Sequence, residues 1–182
     1  MLKRGLALTI FATAIVAAAC GSDDDTTSPP PVSKIVNFTA SLSPANEPSV
    51  TGNPTGSGTF TATLDTSTHV FTWNATFTGL TGNATLAHIH GPFPSGTTTS
   101  AGVLLNFDPL SPNGQAGTNF VFTKAPAGTI SGSFTLSPAA SITTQVKGDS
   151  LEKLILAGLT YVNVHTATNG AGEIRGQLTK KP

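Results

Sequence analysis

The sequence has few charged residues, a single cysteine and almost none of the Leu-, Glu-, Lys- and Arg-rich stretches that form long helices. Lys and Arg total 9, Asp and Glu total 9, and the formal net charge is zero over 182 residues. Because nucleic acids and anionic surfaces select basic partners, this balance argues against both as binding partners. With one cysteine, the chain cannot form an intramolecular disulfide.

Glycine, proline and short alternating segments make up most of the remainder. The chain contains 19 Gly and 13 Pro, and apolar and polar residues alternate with the period of a half-buried strand. We predict one all-β domain, a Greek-key β-sandwich or barrel of about eight or nine antiparallel strands with one short helix. The predicted strands are residues 35–42, 58–64, 70–77, 84–90, 102–107, 118–123, 129–136, 159–165 and 173–179.

One segment, residues 150–157, has helical spacing instead. Leu151, Leu154 and Ile155 lie three and four positions apart, as on the apolar stripe of a helix. Asp149 is placed to cap its start, and Gly158 is placed to end it. The spacing predicts a helix of about two turns that closes one end of the fold.

The N-terminus has the pattern of a bacterial secretory signal. A basic start precedes a mostly apolar run over residues 5–19, which is short for a membrane span. With Cys20 the run resembles the lipobox, whose cysteine becomes the lipidated first residue, although Ala17 stands where that motif usually has a branched aliphatic residue. We predict a lipoprotein signal peptide over residues 1–19 and lipidation of Cys20. A plain signal with an incidental cysteine is the alternative.

A tether is predicted between this signal and the β-domain. Residues 21–31 contain three adjacent Asp, three consecutive Pro and no large apolar side chain, which predicts disorder over residues 20–34. The β-domain is predicted over residues 35–182. This organisation predicts a protein of the bacterial cell envelope that is anchored to a membrane through Cys20. In a Gram-negative host, that membrane would be the outer membrane or the cell surface.

Three of the four histidines lie on two predicted strands. His88 and His90 are two residues apart and point to one face, and His165 lies on the face opposite Val162 and Val164. If both strands belong to one sheet, the three imidazoles meet on one surface. Three imidazoles suit copper or zinc. The alternative is a structural role, with the rings hydrogen-bonded to backbone carbonyls.

Other polar residues lie on faces that could adjoin this cluster. Asn163 shares the face of His165 and is a candidate to orient a metal ligand. Glu173 and Arg175 share a face of the last predicted strand. Either this face is solvated and carries a weak Glu–Arg pair, or Arg175 lies near the histidines and attracts an anion.

The remaining sequence contains no signature of catalysis. It has no nucleophile–His–acid combination, no glycine-rich phosphate loop and no basic–aromatic patch. His69, the fourth histidine, lies at a predicted turn and is expected to be exposed. No catalytic residue is therefore predicted.

Six short segments occur in order along the chain: Ala45-Asn46-Glu47, Gly58-Thr59-Phe60, Leu80-Thr81-Gly82, Ala87-His88-Ile89-His90-Gly91-Pro92, Tyr161-Val162-Asn163-Val164-His165-Thr166 and Gly172-Glu173-Ile174-Arg175-Gly176-Gln177-Leu178. Together they resemble the chordin-type (CHRD) domain, which occurs in chordin and in many bacterial secreted proteins. The match covers roughly residues 36–179. The resemblance implies a fold and a secreted setting rather than an activity.

A fainter resemblance is to Cu,Zn superoxide dismutase, which has a Greek-key β-barrel, a His-x-His strand and a later histidine strand. By position, it implies copper ligands at His88, His90 and His165 and an anion-attracting arginine at Arg175. Residues 91–164 contain no histidine, so the bridging and zinc ligands have no counterparts, and the disulfide cysteines are missing. A complete dismutase site is therefore not expected.

We expect a membrane-anchored binding or interaction module without catalysis, whose partner is an unknown protein or small ligand. The alternative is a copper-binding protein that uses His88, His90 and His165 for storage, delivery or weak redox protection. The two functions differ in whether the three rings hold a metal.

Overall fold

The fold is described from a computed structural model over residues 34–97, 99–108, 110, 118–140 and 146–182. The predicted signal peptide, Cys20 and all of the predicted tether except Lys34 lie outside the described residues. The prediction of an all-β domain is confirmed, because ten strands in the described part of the chain form two antiparallel sheets of a β-sandwich.

The strands are β1 (Ile35–Leu42), β2 (Ser57–Asp65), β3 (Val70–Thr78), β4 (Ala84–His90), β5 (Val103–Asn106), β6 (Thr118–Phe122), β7 (Gly128–Thr135), β8 (Tyr161–Thr166), β9 (Ile174–Gln177) and β10 (Thr179–Lys180). A short 3-10 helix, Pro44–Asn46, follows β1, and one α-helix, α1 (Gly148–Leu156), precedes β8. The six-stranded sheet has the order β10-β1-β2-β3-β7-β6, and the four-stranded sheet has the order β5-β4-β8-β9.

The core lies between the two sheets, where the apolar halves of the alternating strands face each other. Trp73, predicted to be core, is 2% exposed and packs on Phe107, which follows β5 in the other sheet, with ring centroids 5.1 Å apart. On the opposite face of β2, the threonines are exposed. The alternation in the sequence therefore separates the interior of the six-stranded sheet from its surface.

The last predicted strand, residues 173–179, is divided between the two sheets. β9 pairs with β8, whereas β10 pairs with β1 in the six-stranded sheet. Leu178 lies between β9 and β10, is fully buried and donates its N–H to Thr160 O at 2.9 Å. Apolar and polar residues alternate without a break where the chain passes from one sheet to the other. The sequence therefore predicted one strand where the fold has two.

The start of α1 differs from the prediction. The helix begins at Gly148 and has Lys147 at its N-cap position, so the prediction that Asp149 caps it is wrong. Asp149 lies in the first turn and pairs with Lys153 at 3.2 Å. A Cβ on Gly148 would lie 2.5 Å from Ser137 O. This close approach of the β7–α1 connection fixes where the chain enters the helix.

The end of α1 follows the prediction. Gly158 has a φ of +70° and donates its N–H to Ile155 O at 3.0 Å, while Leu159 N–H reaches Leu154 O at 2.9 Å. This is the Schellman arrangement, which glycine favours because it adopts positive φ without steric cost. Within the described residues, no helix is long and apolar enough to cross a membrane.

His69 lies between β2 and β3, as predicted, and its side chain is 43% exposed. It is not isolated in solvent, because Nδ1 lies 2.7 Å from Glu152 Oε2 of α1. The pair connects the β2–β3 turn to the helix and lies apart from the other three histidines.

Candidate metal centre

The three histidines predicted to meet lie on two neighbouring strands of the four-stranded sheet. β4 and β8 are antiparallel partners, with His88 opposite Asn163 and His90 opposite Tyr161. Ala87, Ile89, Val162 and Val164 point into the core. The histidines therefore lie on the outer face of this sheet.

The three rings converge, as the alternation predicted. His88 Nδ1 lies 2.9 Å from His165 Nε2, and one ligand nitrogen from each of His88, His90 and His165 lies within 4.8 Å of the other two. Each residue is only 6–7% exposed. The cluster thus occupies a buried polar layer outside the hydrophobic core.

Backbone carbonyls fix the tautomers of two rings. His165 Nδ1 lies 3.1 Å from Gly170 O, and His90 Nδ1 lies 2.9 Å from Ala101 O. Because a carbonyl only accepts hydrogen bonds, both Nδ1 atoms carry hydrogen and both Nε2 atoms present lone pairs. His88 Nδ1 then donates to His165 Nε2.

His90 has a lone pair without a hydrogen bond. Its Nε2 is buried and has no hydrogen-bond partner among the described residues, although an unsatisfied buried polar group costs about 1–3 kcal/mol. Its ring stacks on Tyr161, with centroids 4.9 Å apart and planes 4° from parallel. The ring is therefore held in place while one nitrogen remains available to a ligand.

Burial keeps the imidazoles neutral. It lowers the pKa of His88 to about 3 and the pKa of His90 to about 4, from an ordinary value of 6.5. Burial also lowers the pKa of His165, against the opposing effect of the Gly170 carbonyl. The unfolded chain binds more protons below pH 6.5, so these rings reduce the stability of the fold as pH falls through this range.

The turn that follows β8 is held by Glu173, which is fully buried. Its carboxylate accepts hydrogen bonds from Thr81 N at 2.7 Å, Thr81 Oγ1 at 2.5 Å, Thr166 Oγ1 at 2.6 Å and Asn169 Nδ2 at 3.1 Å. Burial alone would raise the pKa of Glu173, but these hydrogen bonds outweigh it and lower the pKa. The turn they secure carries Gly170, whose carbonyl orients His165.

Asn163 and Arg175 extend the polar layer beyond the histidines. Asn163 is 1% exposed and lies between His90 and Glu47. Burial raises the pKa of Glu47 to about 7, against the lowering effects of the Arg175 charge and of the Asn163 side chain. The Asn163 side chain also opposes the larger effect of burial, which lowers the pKa of His90. Arg175 lies opposite Asn163 in the sheet, is 4% exposed and contributes to lowering the pKa of His90. Both residues therefore adjoin the cluster, and of the two alternatives for Arg175 the structure has the one that places it near the histidines.

The face of Glu173 and Arg175 is buried, so the interpretation as a solvated face with a weak Glu–Arg pair is wrong. The two side chains have separate partners: Glu173 secures the β8–β9 turn, and Arg175 Nε lies 3.9 Å from Glu47 Oε2. The physical reason is that the β4–β5 loop and the segment after β1 cover this side of the four-stranded sheet. The alternation of apolar and polar residues along a strand shows which side chains share a face. It does not show whether a loop covers that face.

Two residues at this site had no functional prediction from the sequence. Tyr161 stacks on His90, and Glu47 is buried beside Arg175. Tyr161 could have been found, because it shares the strand face of Asn163 and His165. Glu47 follows the 3-10 helix, and no periodicity places it against the sheet.

The donor set fits a single copper or zinc ion. His88 Nδ1, His90 Nε2 and His165 Nε2 would hold it, with the proton of His88 moved to its other nitrogen. Both metals bind imidazole nitrogen at about 2.0 Å, which requires ligand nitrogens about 3–4 Å apart, so modest ring rotations would bring the present spacing of up to 4.8 Å into range. The orphaned Nε2 of His90 would gain the partner it lacks.

Comparison with known proteins identifies one family. A family model described as the CHRD domain matches residues 38–178. Neither a curated protein nor a solved structure matches the chain. The matched residues begin within β1 and end at Leu178, so they include all three histidines, Glu47, Asn163 and Arg175.

Proposed function

We propose that this chain, which belongs to the CHRD domain family, is a binding module whose ligand is a copper ion held by His88, His90 and His165. The observation that carries the proposal is the convergence of three neutral imidazoles within 4.8 Å of one another. Two of the rings are oriented by backbone carbonyls so that their Nε2 lone pairs remain available. A purely structural role would explain those two carbonyl contacts. The Asn163 side chain lies near the His90 ring but makes no hydrogen bond to its buried Nε2, which a metal would provide with a partner.

Copper is favoured over zinc by the chemistry of the ligands. Imidazole binds both metals, but a nitrogen site of given geometry binds Cu(II) more tightly than Zn(II). Among the described residues, the cluster contains no thiolate or carboxylate. Three protein ligands leave a position for an exogenous ligand, which suits storage or delivery. We propose no catalytic step.

Asn163 and Arg175 have supporting roles in this proposal. The Asn163 side chain lies beside His90 and would orient that ligand or a group bound to the metal. Arg175 would attract an anion toward the metal, although Glu47 lies beside it and compensates part of its charge. Neither residue would bind the metal itself.

Titration of the full chain with Cu(II) tests the proposal. Cys20 offers a competing thiol, so the Cys20→Ser variant is titrated beside the natural chain. We expect one equivalent bound with a dissociation constant below about 1 μM, nitrogen hyperfine structure in the electron paramagnetic resonance spectrum, and retention of copper against a tenfold excess of zinc. Absence of binding tighter than about 1 μM would leave an interaction module with a different ligand.

We also propose that Cys20 carries a lipid anchor that holds the domain at the bacterial cell envelope. The support is the sequence of residues 1–34 alone. Metabolic labelling with a fatty-acid analogue should label the natural chain and not the Cys20→Ser variant. Equal labelling of both chains, or labelling of neither, would contradict the anchor.

A further inference from the structure

A cavity of about 480 Å³ lies beside the candidate metal centre. Its wall includes Glu47, Phe93, Tyr161, Arg175 and Gln177, with further residues from the segment after β1 and from the β4–β5 loop. The volume is in the range of small-molecule sites, about 300–1,000 Å³. Tyr161 separates the cavity from His90, on which its ring stacks.

Two oppositely charged side chains in this wall have unfilled hydrogen-bonding capacity. The side chains of Glu47 and Arg175 are 2% and 5% exposed, yet their closest charged atoms, Oε2 and Nε, are 3.9 Å apart, which is too long for a hydrogen bond. Glu47 Oε1 has no hydrogen-bond partner among the described residues but is closed to solvent, so Oε2, the oxygen nearer Arg175, is the one that would meet a ligand. Buried charges are normally paired by direct hydrogen bonds, and the separation of 3.9 Å leaves Oε2 and Nε able to share a bridging polar group.

Arg175 is held in position with donors to spare. Its guanidinium carbon lies 4.8 Å from the ring centroid of Phe93 and 4.6 Å from that of Tyr161. Nη1 donates to Thr99 O at 3.1 Å, which accounts for one of the five N–H groups of a guanidinium. By contrast, Gln177 Nε2 already donates to Phe93 O and Gly158 O, at 3.2 and 2.6 Å.

The adjacent charges select the chemistry of the ligand. Burial raises the pKa of Glu47 to about 7, so this side chain is ionised above that pH. A carboxylate would then be attracted by Arg175 and repelled by Glu47, and an ammonium group would meet the reverse. A hydroxyl group satisfies both, because it donates to a carboxylate and accepts from a guanidinium at the same time. Phe93 and Tyr161 line the cavity and offer apolar contact for the carbon skeleton.

We infer that this cavity binds a small neutral polyol of the sugar class, with hydroxyl groups bridging Glu47 and Arg175. The inference does not depend on a metal at His88, His90 and His165. It assigns the Glu47–Arg175 pair a ligand-binding role in addition to any influence of Arg175 on the neighbouring histidines.

The test is a nuclear magnetic resonance titration of the full metal-free chain at about pH 8, where Glu47 is ionised, with D-glucose, and separately with acetate and methylammonium. We expect saturable shifts at Thr97 and Gln177 with glucose, with a dissociation constant of about 1–10 mM, and no saturation with either ion. Glu47→Gln should weaken glucose binding at least tenfold. Asp149→Asn, which removes an exposed carboxylate on α1, should leave it unchanged.

A second variant keeps the inference testable if Glu47→Gln does not fold. Ala45 is exposed and lines the cavity, so Ala45→Phe fills the space without altering the charge pair, and it should also abolish the glucose shifts. Saturable binding of acetate in place of glucose would overturn the inference in favour of an anion site. Absence of saturation with all three probes would overturn it outright.

Discussion

Replacing His90 with alanine abolishes stoichiometric copper binding if the metal lies where the imidazoles converge. Loss of a residue that only supports a metal ligand costs about 10–100-fold in affinity, so loss of a ligand should exceed about 100-fold. His90 is the most informative of the three histidines, because its Nε2 has no other partner in the described part of the chain. Isothermal titration of the full Cys20→Ser chain with and without His90→Ala measures the difference.

His69→Ala is the matched control for this experiment. It removes the fourth histidine, which pairs with Glu152 and lies outside the cluster, so copper affinity should stay within about twofold of the parent chain. Circular dichroism would verify that both variants retain the β-fold. Undiminished binding by His90→Ala together with loss in His69→Ala would place the copper elsewhere.

Replacing Glu173 with alanine lowers the free energy of unfolding by about 3 kcal/mol or more. The substitution leaves buried hydrogen-bond donors on Thr166 and Asn169 without their acceptor, and each unsatisfied buried group costs about 1–3 kcal/mol. It also removes two hydrogen bonds from Thr81, which is exposed. Glu173→Gln retains the shape and one acceptor oxygen, so its loss should be smaller. Urea denaturation of the full chain measures both.

The pH dependence of this loss distinguishes the carboxylate from the shape of the side chain. Hydrogen bonds lower the pKa of Glu173 in the folded state, below its ordinary value of 4.5. Its stabilising contribution is therefore complete above about pH 4.5 and is lost as pH falls through the folded-state pKa. The gap between the natural chain and Glu173→Gln should narrow in acid. A gap that is constant from neutral pH down to pH 3 would contradict an ionised Glu173.

Glu173 is also expected to affect copper affinity through His165. The turn that it secures carries the Gly170 carbonyl, which fixes the tautomer of that ring. Glu173→Gln should therefore weaken copper binding by about tenfold, the lower end of the effect of residues that orient metal ligands. Unchanged affinity would show that His165 keeps its orientation without this turn.

Strand alternation was sufficient to predict that His88, His90 and His165 share one face of the sheet. β4 has the predicted bounds, Ala84–His90, and its pairing with β8 brings His165 to the face of His88 and His90. Side chains two residues apart on a strand must share a face. What the sequence could not show is that β4 and β8 are neighbours in one sheet.

The covering of that face could not be predicted in the same way. Glu47, Glu173 and Arg175 are buried because a loop and a post-strand segment fold over the outer side of the four-stranded sheet. Such contacts join residues far apart in the chain, as with Arg175 and Thr99, and have no periodic signature. The division of the last predicted strand at Leu178 could not be predicted either. Apolar and polar residues alternate in the same way whether the chain stays in one sheet or passes to the other.

Crystals of the full chain soaked with copper provide the most direct test of the central claim. An anomalous-difference map recorded at the copper absorption edge should show one peak at about 2.0 Å from His88 Nδ1, His90 Nε2 and His165 Nε2. The Gly170 and Ala101 carbonyls should keep their hydrogen bonds to the Nδ1 atoms of His165 and His90. A fully soaked crystal with no peak among these three rings would contradict the account.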